Sequence, residues 1–238
     1  MTGHVEYRNL LEKESVRTEV RTQHALRAFI EAWHGVHGKE IVFDKSRGWS
    51  MHALMLQKVC PEAKLIVLVR DVHEVFASIE KQHRKSALWN NMHPGIDQRA
   101  NQLCGPQGML GNACRGVEDL IRRDFDHVMF VKFAALCDHF QSTMRSIHSF
   151  LHETDFIYSD HIDNTAIDPD GHYLHKFPHR GDGVVRPYEP DTWQEFVPPD
   201  VATKLLATFP LYAHTFGYKE KDDDLATTDS VAPVVAGD

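Results

Sequence analysis

Arg70 and Ser78, eight residues apart in Lys64-Leu-Ile-Val-Leu-Val-Arg-Asp-Val-His-Glu-Val-Phe-Ala-Ser78, are the side chains whose types and spacing point most directly to chemistry. An apolar strand ends in an arginine, a helix follows at once, and a hydroxyl sits about two turns into it, so both groups can converge on one phosphate. The planar guanidinium fork suits bidentate phosphate recognition, and the serine adds a neutral donor. The competing arrangement is an ion pair of Arg70 with Asp71 or Glu74 and a serine filling a helix groove. Lys45 stands 25 residues before Arg70, after the short apolar run Glu40-Ile-Val-Phe43. If the two strands are neighbours, both cations project into one crevice, where Lys45 would stabilise charge growing on a leaving phosphate. Its alternative is a solvated lysine paired with Asp44.

The elements that must position these residues follow from apolar spacing. Val16, Val20, Leu26, Phe29, Ile30 and Trp33 recur at helical intervals from about Ser15 to His34, ended by Gly35 and Gly38. Strands are expected at Glu40–Phe43, Leu65–Val69 and Val128–Val131, each a continuous apolar run of the kind buried on both faces. Helices are expected at Trp49–Val59, Val72–Lys85, Val117–Phe125, Ala135–His152 and from Pro199 to about Pro210. The stretch from Trp89 to Gly116, rich in Asn, Gly and Gln, reads as a loop around a short helix. Alternating strands and helices predict an α/β fold, a central parallel sheet flanked by helices with ligands beyond the strand carboxyl ends. Residues 1–218 are expected to form one domain, and 219–238 a disordered tail.

Composition narrows the partners. A net charge of −8 and a pI near 6.1 argue against non-specific nucleic-acid binding but leave room for a local basic pocket. Cys60, Cys104, Cys114 and Cys137 contain no CxxC pair, so neither a zinc ribbon nor a disulfide scaffold is indicated, and reduced thiols suggest a cytoplasmic location. No apolar run reaches spanning length and the amino terminus is polar, so no signal peptide and no membrane anchor are expected. His172, His175 and His179 are close together but lack the partners of a recognised zinc pattern. Asp160, Asp163, Asp168 and Asp170 lack the alternation of a calcium loop, so no metal is expected.

Asp44-Lys-Ser-Arg-Gly-Trp49, then Pro61-Glu-Ala-Lys-Leu-Ile-Val-Leu-Val-Arg-Asp with Ser78, resembles the sulfotransferases that use 3′-phosphoadenosine 5′-phosphosulfate (PAPS). Val128-Met-Phe-Val-Lys-Phe-Ala-Ala-Leu136, Met144 to Leu151, His179-Arg-Gly-Asp-Gly183 with Trp193, and Tyr212-Ala-His-Thr-Phe-Gly-Tyr218 are similar to later family segments, in the family's order. The resemblance implies a P-loop NTPase-like sulfotransferase fold, with PAPS as sulfuryl donor and a hydroxyl or amine as acceptor. It implies that Arg70, Ser78, Phe133, Arg180 and Gly181 bind the donor and that Lys45 assists departure of the bridging oxygen. His52 is the candidate base, because the position two residues after the lysine, often His in the family, is here Arg47, which cannot take a proton. Arg47 and Trp49 are candidate contacts to the acceptor. The family's opening strand and glycine-containing 5′-phosphosulfate loop find no match before Lys45, so the first strand is expected to be missing from this stretch of sequence. Two rivals share the residues: a non-catalytic nucleotide-binding remnant, and a P-loop-type kinase, which the absence of a GxxxxGK[ST] sequence disfavours.

Overall fold

Two parallel strands carry the centre of the computed structural model. β1 (Leu65–Val69) pairs with β2 (Val128–Lys132) in the register Leu65↔Val128 to Val69↔Lys132. The structure describes residues 15–35, 38, 40–85, 93–123, 125, 127–159, 161, 183–190 and 192–218. The chain divides into two compact units, Met1–Ala63 and Lys64–Asp238. The expected tail at 219–238, Trp89 and the His172–His179 and Asp160–Asp170 clusters lie outside the described residues.

In the first unit, α1 (Ser15–Gly35) and α2 (Ala53–Val59) are tied by Arg27 to Glu62 at 2.5 Å and Lys58 to Glu19 at 2.7 Å. These pairs are exposed and screened by salt, so they orient more than they stabilise. The strand expected at Glu40–Phe43 does not form: residues 41–46 are irregular and Ile41, Val42 and Phe43 are exposed, Phe43 by 74%. An apolar run becomes a strand only where another strand satisfies its backbone groups, and none does so here among the described residues. The sequence argument that put Lys45 at a strand end therefore fails. Trp49–Val59 is helical as expected, entered through a 3₁₀ turn at Trp49–His52.

The second unit is layered as the alternation predicts. Side chains of a strand point alternately to opposite faces. Met129 and Val131 pack on one face with Ile147, Met144 and Leu136, while Phe130 meets Phe216 edge-on at 5.3 Å on the other. α3 (Val72–Lys85) follows β1, and α6 (Phe133–Asp138) and α7 (Phe140–Leu151) follow β2. The expected single helix from Ala135 to His152 is thus broken at His139. Backbone bonds run on across the break, from the His139 N–H to Ala135 O and from the Thr143 N–H to His139 O, both at 2.9 Å, and side chains add second donors to the same carbonyls: Thr143 Oγ1 to Ala135 O and Ser142 Oγ to His139 O, each at 3.0 Å.

The expected loop at Trp89–Gly116 is largely two helices, α4 (Ile96–Cys104) and α5 (Met109–Arg123). Its glycines mark a tight turn and close packing: a Cβ on Gly111 would overlap the carbonyl of Gly105, so only glycine lets the two helices meet. Arg99 joins α4 to α3 through a two-pronged contact with the fully buried Glu80, at 2.7 and 2.6 Å. α8 (Pro199–Thr208) and α9 (Pro210–Phe216) close the unit, each with a proline in its first turn, where the missing N–H costs nothing. What the described residues present is a mixed, helix-rich α/β arrangement with a small parallel sheet.

Candidate anion site at the strand ends

Arg70 is the first residue beyond β1, and three elements fix it. Asp71 caps α3, its Oδ1 accepting from the His73 N–H at 2.8 Å, so the chain turns into the helix one residue after the arginine. Tyr212 of α9 holds the Arg70 backbone, accepting from its N–H at 3.1 Å and donating to its carbonyl at 2.8 Å. Glu118 of α5 places that tyrosine: its buried carboxylate accepts the N–H groups of Leu211 and Tyr212 at 3.0 and 3.1 Å, at the helix end that attracts negative charge.

The side chain is held as firmly. Its Nε donates to Glu74 Oε2 at 2.7 Å, an i,i+4 pair, and the guanidinium lies over the Phe133 ring at 4.8 Å. Tyr188 donates its hydroxyl to the other oxygen of Glu74. Burial, and then the Glu74 carboxylate, push the Tyr188 phenol up, so it remains a donor at neutral pH. The ion pair weighed in the sequence reading is therefore present, with Glu74. It engages only Nε. The two terminal nitrogens of Arg70 have no hydrogen-bond partner among the described residues, and the side chain is 31% exposed.

A cavity of about 380 Å³ opens beside Arg70, lined by Phe133, Leu136, Phe140, Val185 and Tyr188 among others. Its wall is mainly apolar, and Arg70, Arg186, Tyr188 and Glu189 give it polar groups, a mixture suited to an aromatic ring carrying an anionic substituent. Ser78 is half-buried on α3, and its hydroxyl has no partner among the described residues. Glu74 and Ser78 stand four residues apart on one face of α3, and Arg70, just ahead of the helix, reaches that face through its ion pair with Glu74.

The strand ends carry one cation that the sequence reading did not select. Lys132, the last residue of β2, is the register partner of Val69, is half-buried, and has neither an ion-pair nor a hydrogen-bond partner among the described residues. Burial alone holds its pKa below the ordinary lysine range. Pairing register is invisible in a single sequence, which is why Lys132 escaped notice. Tyr188 escaped for a similar reason, lying 114 residues from Glu74.

In the first unit, Lys45, Arg47 and His52 are exposed and Trp49 is half-buried. Lys45 is solvated, as the alternative reading has it, although no ion pair with Asp44 forms among the described residues. Ser46 Oγ accepts from the Gly48 N–H at 3.1 Å, and this turn sets the backbone between Lys45 and Trp49. Arg180 and Gly181 lie outside the described residues. Among the described residues no three His, Cys, Asp or Glu side chains converge as a metal site would require, and no helix is long and apolar enough to cross a membrane.

Comparison with known proteins identifies one family: the model of the sulfotransferase family matches residues 2–156. No curated protein and no solved structure matches the chain.

Proposed function

The chain belongs to the sulfotransferase family, and from that premise we propose that it moves a sulfuryl group from PAPS to a hydroxyl or amine acceptor, with Arg70 holding the donor's 3′-phosphate. One observation carries the assignment of the phosphate. Arg70 stands at the carboxyl end of a parallel strand with its Nε anchored to Glu74 and both terminal nitrogens without a partner among the described residues. A guanidinium fixed at one nitrogen presents the other two as a ready fork, so little side-chain entropy remains to be lost when a phosphate binds. Ser78 supplies a neutral donor one turn beyond Glu74 on α3, and the apolar cavity beside Phe133 accommodates a base. A P-loop-like fold and a single domain over residues 1–218 go with this reading, as does a cytoplasmic location.

When bound, the donor supplies an activated sulfur whose bond to the 5′-phosphate oxygen breaks as the acceptor oxygen or nitrogen attacks. The chain's part in that step is positioning and charge stabilisation, the usual means of catalysing transfer through a highly charged transition state. Arg70 and Ser78 fix the 3′-phosphate, and Glu74 and Tyr188 keep the fork aimed. On the resemblance, Arg180 and Gly181 add to the 3′-phosphate contacts, Lys45 stabilises the charge left on the 5′-phosphate oxygen, and His52 takes the acceptor proton. Arg47 and Trp49 contact the acceptor on the same basis. No step calls for a metal.

The test is to follow release of 3′-phosphoadenosine 5′-phosphate (PAP) from PAPS in the presence of a panel of hydroxyl and amine acceptors. Acceptor-dependent release, lost in Arg70→Ala and reduced at least tenfold in Lys45→Ala, is expected. Release at the parental rate in Arg70→Ala would overturn the placement of the donor. Tight PAP binding without release by any acceptor would leave a nucleotide-binding protein.

A further inference from the structure

Lys132 carries a cost that no described residue offsets. An ammonium drawn partly out of water without a counter-charge is unfavourable, and the lowered pKa reflects that loss of hydration with no charged neighbour contributing. Buried or half-buried lysines ordinarily find a carboxylate or a carbonyl; this one has neither among the described residues. A cation left in that state beside another with unspent donors marks a place where an anion is to be bound.

Its position says which anion. Neighbouring strands lie about 4.8 Å apart, so the register Val69↔Lys132 puts the Lys132 backbone within about 6 Å of Arg70 at the same edge of the sheet. The two side chains leave on opposite faces. Arg70 is on the face of Phe133, whose ring lies under its guanidinium. Lys132 alternates with Phe133, so it shares the face of Phe130, which packs on Phe216 of α9. A ligand with one anionic group would satisfy one cation and leave the other bare. A ligand with two anionic groups on one small scaffold can sit astride the crest of the sheet and reach both.

We propose that Lys132 is a second anion-binding residue of the donor site, taking the 5′-phosphate end of a nucleotide whose 3′-phosphate is held by Arg70. The inference rests on the reading given under Proposed function and adds a residue and a ligand end to it. Lys132 neutralises the 5′-phosphate before transfer and the additional charge left there after it, so it serves both binding of PAPS and retention of PAP.

Calorimetric titration with PAP, adenosine 3′-phosphate and adenosine 5′-phosphate separates the two cations. Lys132→Met is expected to weaken PAP at least tenfold while leaving adenosine 3′-phosphate unchanged, and Lys132→Arg to keep most of the parental affinity. Without ligand, Lys132→Met should melt no lower than the parent, because it removes a poorly hydrated charge. If that variant does not fold, Lys132→Gln serves the same comparison. Parental PAP affinity in the neutral variants, or an equal loss for PAP and adenosine 3′-phosphate, overturns the assignment of Lys132. Equal binding of PAP and adenosine 5′-phosphate by the parent overturns the Arg70 reading instead, and the two failures are thereby told apart.

Discussion

Tyr212→Phe removes one oxygen and tests how the site is built. The Tyr212 hydroxyl is buried and makes two hydrogen bonds to one residue, accepting from the Arg70 N–H at 3.1 Å and donating to its carbonyl at 2.8 Å. Phenylalanine keeps the ring contacts with Phe216 and Tyr218, at 5.0 and 5.8 Å, so the loss is confined to those bonds. Each buried backbone group left without a partner costs about 1–2 kcal/mol, which sums to roughly 2–4 kcal/mol for the pair. In a chain of this size that lowers Tm by about 4–16 °C. PAP affinity should fall with it, because the backbone that aims the guanidinium is no longer fixed. Thermal melts give the first quantity and hydrogen exchange the mechanism: the Arg70 amide should exchange faster in the variant, with amides of β2 little changed. A Tm shift under about 1 °C, the scale of a neutral surface change, together with an unaltered Arg70 exchange rate, would refute the claim that Tyr212 holds the strand end.

Other consequences are open to direct measurement. Arg99→Met strands the fully buried Glu80 carboxylate and should cost about 3–5 kcal/mol by urea unfolding, with Glu80→Leu/Arg99→Met together recovering most of it; equal losses in the single and double variants would contradict this. Burial pushes the Cys104 and Cys114 thiols up to about 11 and about 12. Both should resist iodoacetamide at pH 8 in the native protein and react on unfolding, as read by mass spectrometry. The same shifts set a pH trend. Above about 9 the unfolded chain ionises these thiols while the folded chain keeps them protonated, so the unfolded state binds fewer protons and stability falls as pH rises from about 9 towards 12. Cys104→Ala/Cys114→Ala should flatten that fall.

Much of the framework was legible because local signals and tertiary context agree. β1, β2, α1 and α3 lie where apolar period and capping residues put them, and of the two partners that the competing arrangement offered Arg70, Asp71 and Glu74, the structure pairs it with Glu74. Where the reading failed, one signal served two purposes. Glycines at 105, 108 and 111 read as loop, yet they are the turn and the close approach that let α4 and α5 pack. The apolar run at 41–43 read as strand, yet nothing local supplies the pairing edge a strand requires. The contacts that shape the site are the least local of all: Glu118 to Tyr212 spans 94 residues, Tyr212 to Arg70 142 and Tyr188 to Glu74 114. Their residue types could be read, but their convergence comes only from the packing of α5, α9 and the 183–190 segment around the strand ends.

The central claim, that Arg70 reads the 3′-phosphate of a sulfuryl donor, is tested most directly by calorimetric titration of the parent and Arg70→Ala with PAP and with adenosine 5′-phosphate. Loss of charge-assisted hydrogen bonds worth about 1.5–3 kcal/mol each corresponds to a tenfold or greater effect. The parent should therefore bind PAP at least tenfold more tightly than adenosine 5′-phosphate, and Arg70→Ala should bind the two alike. Equal affinities in the parent, or a preference for PAP that survives Arg70→Ala, would contradict it.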